Sequence, residues 1–243
     1  MAMMLAIAIA VMLDKWAEYI PGGEVVSRNR STSWMANYTA KAIEMISNSH
    51  IKQNYIIIML LLAPLIAILL LSQLLFCALF GTIGKILFKA AVLFYLLGNT
   101  SKEKGVGEFV SAHEHSFGIL FWFALAGTIG ALFYWFLIVS KKDDIINEFV
   151  NAHIREGIIW LHTLAAWIPA RITGFIYALV GNFSRGFNFW LTCVRTPKMA
   201  SNKVLTDCGR ASTDASIESD EKNLVTRAYI AWTVLSIIIV LYK

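Results

Sequence analysis

The sequence predicts an all-α, polytopic membrane protein with about five main transmembrane helices and a partial or interfacial helix at the N-terminus. Hydrophobic residues make up 58% of the 243 residues, and the mean hydropathy is +0.63. Long apolar runs with only four prolines favour helices, because barrel strands would alternate polar and apolar residues and no such alternation is visible.

Residues 1–54 are expected to form an amphipathic or interfacial N-terminal region. Residues 1–13 are apolar and uncharged but lack the basic start and cleavage site of a secretory signal, and they are short for a full crossing. The Pro21, Gly22 and Gly23 stretch should end this first helix. Residues 31–47 show an approximate apolar face, which predicts a helix lying on the membrane surface.

Residues 55–98 are too long an apolar run for one crossing, since a helix needs roughly twenty residues to span a bilayer. The sequence Gly-Thr-Ile-Gly at 81–84 is the natural break. We therefore expect a tight transmembrane hairpin with arms at about 55–78 and 82–98.

Residues 99–181 are expected to form the transmembrane core. Residues 117–139 read as one continuous crossing, in which Gly118, Gly127 and Gly130 offer small surfaces for close helix packing. Gly-Thr-Ile-Gly recurs at 127–130, but the flanking residues agree only loosely, so we interpret the recurrence as composition. A charged connector at 141–156 follows.

The apolar segment 153–181 contains a charge and a proline close together. The guanidinium of Arg171 stays protonated and is costly at membrane depth, so it should face protein, water or lipid headgroups. Pro169 removes a helical hydrogen bond and should bend the segment there. Two interpretations remain open: a polar site within the membrane, or a helix that ends near Pro169 and lies at the interface while Arg171 reaches the headgroups.

The candidate polar membrane site combines Arg171 and Pro169 with other polar or aromatic residues near membrane depth, namely Trp167, Glu156, His162, Glu114 and His113. Glu156 is expected to pair with Arg171 or with Arg155, and a pair of Arg171 with Glu114 is the alternative, because a buried ion pair lowers the cost of both charges. His162 is expected to mark the membrane interface together with nearby tryptophans.

The sequence predicts neither catalysis nor a metal or cofactor site. His113, Glu114 and His115 resemble a metal-binding set, but residues two apart on an α-helix point in different directions, and a solvated polar helix end is favoured. No nucleophile-elbow or dinucleotide-binding sequence is present. The three cysteines show no zinc or redox spacing.

Residues 182–227 form a polar loop, and residues 228–243 form the C-terminal transmembrane helix. The net charge of +5 is attributed to positive-inside loops, since no basic run suggests nucleic-acid binding. If residues 117–139 and 153–181 each cross the membrane once, most Lys and Arg residues fall on one side, which places the long loops in the cytoplasm.

The sequence W-I-P-A-R-I-T-G at 167–174, followed by Y-A-L-V-G at 177–181, resembles the motif shared by the AmpE family and the CobD/CbiB cobinamide-phosphate synthases. G-I-L-F-W at 118–122 is similar to their A-P-L-F-W. The polar domain that the synthases carry between their second and third spans has no counterpart here, so the resemblance points to AmpE.

The resemblance implies a multi-pass protein of the bacterial inner membrane that regulates β-lactamase induction without catalysis, in contact with the lipid bilayer and other membrane proteins. Two alternatives stay open. One is a structural subunit of a multi-protein envelope or secretion complex. The other is a residual enzyme of the synthase type that uses His113, Glu114 and Arg171.

Overall fold

The computed structural model describes residues 1–19, 34, 37–39, 41, 54–97, 107–142, 152–213 and 218–242. Within them every regular element is helical, which confirms the predicted fold class. In chain order the elements are α1 Ala2–Tyr19, α2 Asn54–Leu97, α3 Glu108–Ala112, a π-helical turn His113–Phe117, α4 Gly118–Lys142, α5 Ala152–Val180, α6 Phe183–Arg195, α7 Ser201–Ser212 and α8 Glu218–Leu241. The surface helix predicted over 31–47 and the connector predicted over 141–156 lie largely outside the described residues.

Four helical stretches of the described chain are long and apolar enough to cross a membrane: Leu60–Leu97, Glu108–Lys141, Arg155–Val180 and Asp220–Leu241. The two longest stretches differ in burial. In an 18-residue apolar segment of Glu108–Lys141, 72% of the residues are buried inside the protein, whereas the corresponding share in Leu60–Leu97 is 17%. The first stretch is therefore peripheral and presents apolar side chains to lipid, while the second lies at the centre.

The chain reverses within α2 at Gly81. This residue has φ 59° and ψ −138°, a conformation that glycine adopts at no steric cost. The rings of Phe76 and Phe88 lie 5.5 Å apart, whereas a straight helix would separate these positions by about 18 Å. The two parts of α2 consequently pack side by side as a hairpin.

A second reversal, at Gly127, divides α4 into arms at 118–126 and 128–142. Gly127 has φ 69° and ψ −151°, and Lys141 lies 2.8 Å from Glu114, a separation that would be about 40 Å along a straight helix. The prediction of one continuous crossing at 117–139 is wrong. The predicted excess of Lys and Arg residues on one side of the membrane depended on that crossing, so it no longer places the long loops in the cytoplasm.

The two reversals share one local geometry. A Cβ added at Gly84 would collide with the carbonyl oxygen of Phe76, and one added at Gly130 would lie 2.5 Å from that of Trp122. In both cases the first glycine of Gly-Thr-Ile-Gly turns the chain and the second lets the returning arm approach. The recurrence of this sequence is a structural repeat and more than composition.

Residues 108–142, which we call the central hairpin, pack against α5 and α8. The α5 helix runs antiparallel to the stretch 108–126, since Tyr177 packs on Phe109 with ring centroids 5.1 Å apart and Ala165 lies against Trp122. The α8 helix packs on the same stretch through Trp232, whose ring stacks on Phe117 at 6.1 Å.

The region predicted as a polar loop, 182–227, contains two amphipathic helices. Helices α6 and α7 form a hairpin that packs along the C-terminal half of α5. They enclose a small apolar cluster of their own, formed by Cys193, Val204 and Cys208. The C-terminal helix also begins earlier than the predicted 228–243, because α8 starts at Glu218.

Candidate functional site

The π-helical turn His113–Phe117 begins the candidate site. Its first three side chains, those of His113, Glu114 and His115, are only 1%, 3% and 6% exposed. A π-turn holds one more residue than an α-turn and is frequent at functional sites. The prediction of a solvated polar helix end is therefore wrong, because all three polar side chains are enclosed by the surrounding helices.

A polar cluster, which we define as His113, Glu114, Tyr134, Lys141 and His162, joins three elements. The Glu114 Oε1 atom accepts a hydrogen bond from Lys141 Nζ at 2.8 Å and lies 3.9 Å from His162 Nε2. The Tyr134 ring stacks on the His162 ring with centroids 5.8 Å apart. His162 is only 5% exposed, so the prediction that it marks the membrane interface is wrong.

The hydrogen bonds of Thr173 fix the tautomer of His113. Thr173 Oγ1 donates its one hydrogen to the carbonyl of Pro169 at 2.8 Å. It also accepts from Trp232 Nε1 at 3.1 Å. The remaining contact, 3.1 Å to His113 Nδ1, must then be donated by the imidazole, so the neutral ring carries its hydrogen on Nδ1.

The Nε2 atom of His113 consequently presents a bare lone pair. Within the described part of the chain neither this nitrogen nor the buried hydroxyl of Tyr134 has a hydrogen-bond partner. Buried polar atoms in proteins are usually satisfied, often by ordered water. These two atoms are therefore available to bind water or a small polar ligand.

Pro169 leaves a backbone acceptor on α5 that binds a tryptophan of α4. Because proline has no N–H, the carbonyl of Ala165 loses its helical donor. The indole Nε1 of Trp122 donates to that carbonyl at 3.2 Å. The proline thus creates an acceptor that ties α5 to the first arm of α4.

Arg171 faces another part of the molecule. Its guanidinium donates to the carbonyl of Trp167 at 3.1 Å and to those of Pro197 and Met199 at 3.0 and 3.4 Å. It also lies over the Trp167 ring, 3.9 Å from the centroid. The two terminal nitrogens thus bind backbone oxygens of α5 and of the loop 196–200 between α6 and α7, whereas Nε has no hydrogen-bond partner among the described residues.

The predicted pairing of Arg171 with Glu114 or Glu156 is wrong. Glu114 binds Lys141, and Glu156 is exposed near the start of α5, about 22 Å along the helix from Arg171. Thr173, two residues after Arg171, points to the polar cluster. Residues two apart on a helix face nearly opposite directions, so the residues of the predicted single site lie in two places. One is the polar cluster, and the other is the contact of Arg171 with the loop 196–200, which we call the Arg171 anchor.

Three residues of this region were not predicted from the sequence: Lys141, Tyr134 and Thr173. A usable signal existed for Lys141, since a reversal at the second Gly-Thr-Ile-Gly brings position 141 opposite position 114. For Tyr134 and Thr173 no signal was available, because ordinary core residues of these types look the same in a sequence. Among the residues that the structure describes, no group of three His, Cys, Asp or Glu side chains is arranged to hold a metal ion.

Comparison with known proteins gives one finding on family. Residues 110–242 match the family model described as regulatory signalling modulator protein AmpE. No curated protein and no solved structure matches the chain significantly. The matched stretch includes the polar cluster, the reversal at Gly127 and the Arg171 anchor.

Proposed function

Because the chain belongs to the AmpE family of regulatory signalling modulator proteins, we propose that it is a non-enzymatic regulator of the bacterial inner membrane that acts in β-lactamase induction. The family match supports a regulatory role, and the apolar helices support residence in a lipid bilayer. The observation that carries the proposal is the ion pair between Glu114 and Lys141 inside the matched stretch.

The ion pair provides an element with two states. Glu114 lies in the π-turn and Lys141 near the end of the returning arm, so their contact holds the two ends of the central hairpin together. Ionisable groups at membrane depth are commonly functional, and switching often proceeds through rearrangement of such pairs. Binding of a ligand or partner that favours the open state would separate the ends of the hairpin and transmit the signal.

Complementation tests this role. A strain that lacks the gene would receive the wild-type, Glu114→Gln or Glu156→Gln protein, and β-lactamase would be measured by hydrolysis of a chromogenic cephalosporin after induction. We expect Glu114→Gln to change induction by about tenfold, as loss of about 1.4 kcal/mol of coupling implies. The Glu156→Gln control replaces an exposed carboxylate of the same bundle and should behave as wild type.

Equal induction by wild type and Glu114→Gln, at equal protein levels in the membrane fraction, would contradict the proposed switch. Normal induction in the strain without the gene would contradict the β-lactamase role itself. The two failures are therefore distinguishable.

We also propose that the regulator acts through other membrane proteins that bind the hairpin of α6 and α7. This hairpin presents exposed basic side chains, namely Arg195, Lys198, Lys203 and Arg210. Purification in mild detergent followed by mass spectrometry would compare wild type with Arg171→Ala, using Arg171→Lys as the control that keeps the charge. Partner proteins lost only with alanine would support docking at the hairpin. An unchanged partner set would contradict it, and a bound small molecule without protein partners would favour a ligand sensor.

A further inference from the structure

The hairpin of α6 and α7 contains two thiols in contact. The Sγ atoms of Cys193 on α6 and Cys208 on α7 lie 3.8 Å apart. Both side chains are fully buried, and a Cβ added to Gly174 of α5 would lie 3.2 Å from the Cys208 Sγ. The thiols therefore face each other between the two helices and against α5.

We infer that Cys193 and Cys208, which we call the cysteine pair, form an oxidisable site whose disulfide would join α6 to α7. A disulfide has its sulfur atoms about 2.05 Å apart, so the thiols need to approach by about 1.8 Å. The two helices are connected by the loop 196–200, and a bond across them would close that loop. Its carbonyls, those of Pro197 and Met199, are the ones that bind Arg171.

The oxidation requires a disulfide-bearing oxidant, either a thiol oxidoreductase or a small-molecule disulfide. One cysteine loses its proton and attacks a sulfur of the oxidant, which releases one thiol and leaves a mixed disulfide. The second cysteine loses its proton and attacks the protein sulfur of that mixed disulfide, which releases the second thiol. In total the protein gives up two protons and two electrons, and the oxidant disulfide is reduced to two thiols.

The environment of the thiols controls when this reaction occurs. Burial raises the pKa of the Cys193 thiol and the pKa of the Cys208 thiol, so little thiolate is present at neutral pH while the hairpin is closed. Oxidation must therefore follow opening of the hairpin or precede its packing on α5. The disulfide would then form only while the hairpin is open, and it would afterwards keep the two helices joined.

Mass spectrometry of the full-length protein in detergent tests the inference. A Cys77→Ala background leaves only the cysteine pair, and the protein would be treated with oxidised glutathione or with dithiothreitol, denatured, alkylated with N-ethylmaleimide and weighed intact. We expect two alkyl groups after reduction and none after oxidation, with the mass of a monomer less two hydrogens. Cys193→Ser and Cys208→Ser in the same background should never show that loss.

Two alkyl groups, or two glutathione adducts, on the oxidised protein would overturn the inference. A second measurement tests the effect on the loop, and it uses Arg171→Ala so that Arg171 no longer holds the carbonyls. Oxidation should slow hydrogen exchange across 196–200 by about tenfold or more, because a cross-link limits opening of the loop that it closes. Unchanged exchange in a protein shown to be disulfide-bonded would refute the proposed restraint.

Discussion

Replacing Arg171 with alanine should release the hairpin of α6 and α7 from α5 while the transmembrane helices stay packed. The guanidinium joins α5 to the loop 196–200 through the carbonyls of Pro197 and Met199. The indole of Trp167 also donates to Pro197, so the contact would be weakened and not abolished.

The size of the effect follows from the contacts. Hydrogen bonds that involve a charged group contribute about 1.5–3 kcal/mol each, and the bond to Met199, at 3.4 Å, is long enough to count for little. Stacking of the guanidinium on Trp167 joins two residues of α5, so it adds nothing to docking of the hairpin. The expected loss of about 2 kcal/mol, from the bond to Pro197, corresponds to a roughly thirtyfold shift in the docking equilibrium of the hairpin.

Hydrogen exchange in detergent micelles measures this equilibrium. Amides of α6 and α7 should exchange about thirtyfold faster in Arg171→Ala, whereas amides of α8 serve as the internal reference and should not change. Arg171→Lys should be intermediate, since an ammonium keeps the charge but lacks the planar fork and the stacking. Exchange of α6 and α7 within about threefold of wild type would refute the role assigned to the guanidinium.

Gly127→Ala should lower the unfolding free energy by about 1–2 kcal/mol because alanine disfavours positive φ. The control Gly107→Ala, at φ −61° with open space around an added Cβ, should change the unfolding free energy by less than about 0.5 kcal/mol. Equal thermal stability of the two variants would contradict the need for glycine at the reversal. Glu114→Gln should destabilise the protein by about 1–3 kcal/mol, since it leaves the Lys141 ammonium without its carboxylate. A second change, Lys141→Gln, should restore part of that loss, and strictly additive effects in this double-mutant cycle would argue against coupling. In a Cys77→Ala background, maleimide labelling of the cysteine pair at pH 7 should be much slower in the folded protein than in the denatured one, because both thiols are buried and burial raises the pKa of each. Equal labelling rates would contradict this.

The sequence alone determined the class of protein and one of its turns. Hydrophobicity is a local property of the chain, and a bilayer leaves helices as the simplest way to satisfy every backbone group, so an all-helical membrane protein could be predicted. The run from 55 to 98 exceeds one crossing, which makes a reversal necessary, and glycine offers the least costly place for it. The motif at 167–174 pointed to the family that residues 110–242 match.

Length was a weaker guide in the next apolar stretch. Residues 117–139 are the right length for one crossing, so nothing in their hydrophobicity required the reversal at Gly127. Only the packed structure decided it, through the close approach of Gly130 to Trp122 and the contact of Lys141 with Glu114. That reversal also brings Lys141 onto Glu114, whose side chain is buried.

The partner of Arg171 was also decided by tertiary structure alone. A buried charge demands compensation, and a sequence suggests carboxylates for it because they are visible as Asp and Glu. Every residue also carries a carbonyl oxygen, which leaves no mark in the sequence until the backbone is folded into place. The loop 196–200 supplies such oxygens to Arg171, so the chemistry of the arginine was predictable while the identity of its acceptors was not.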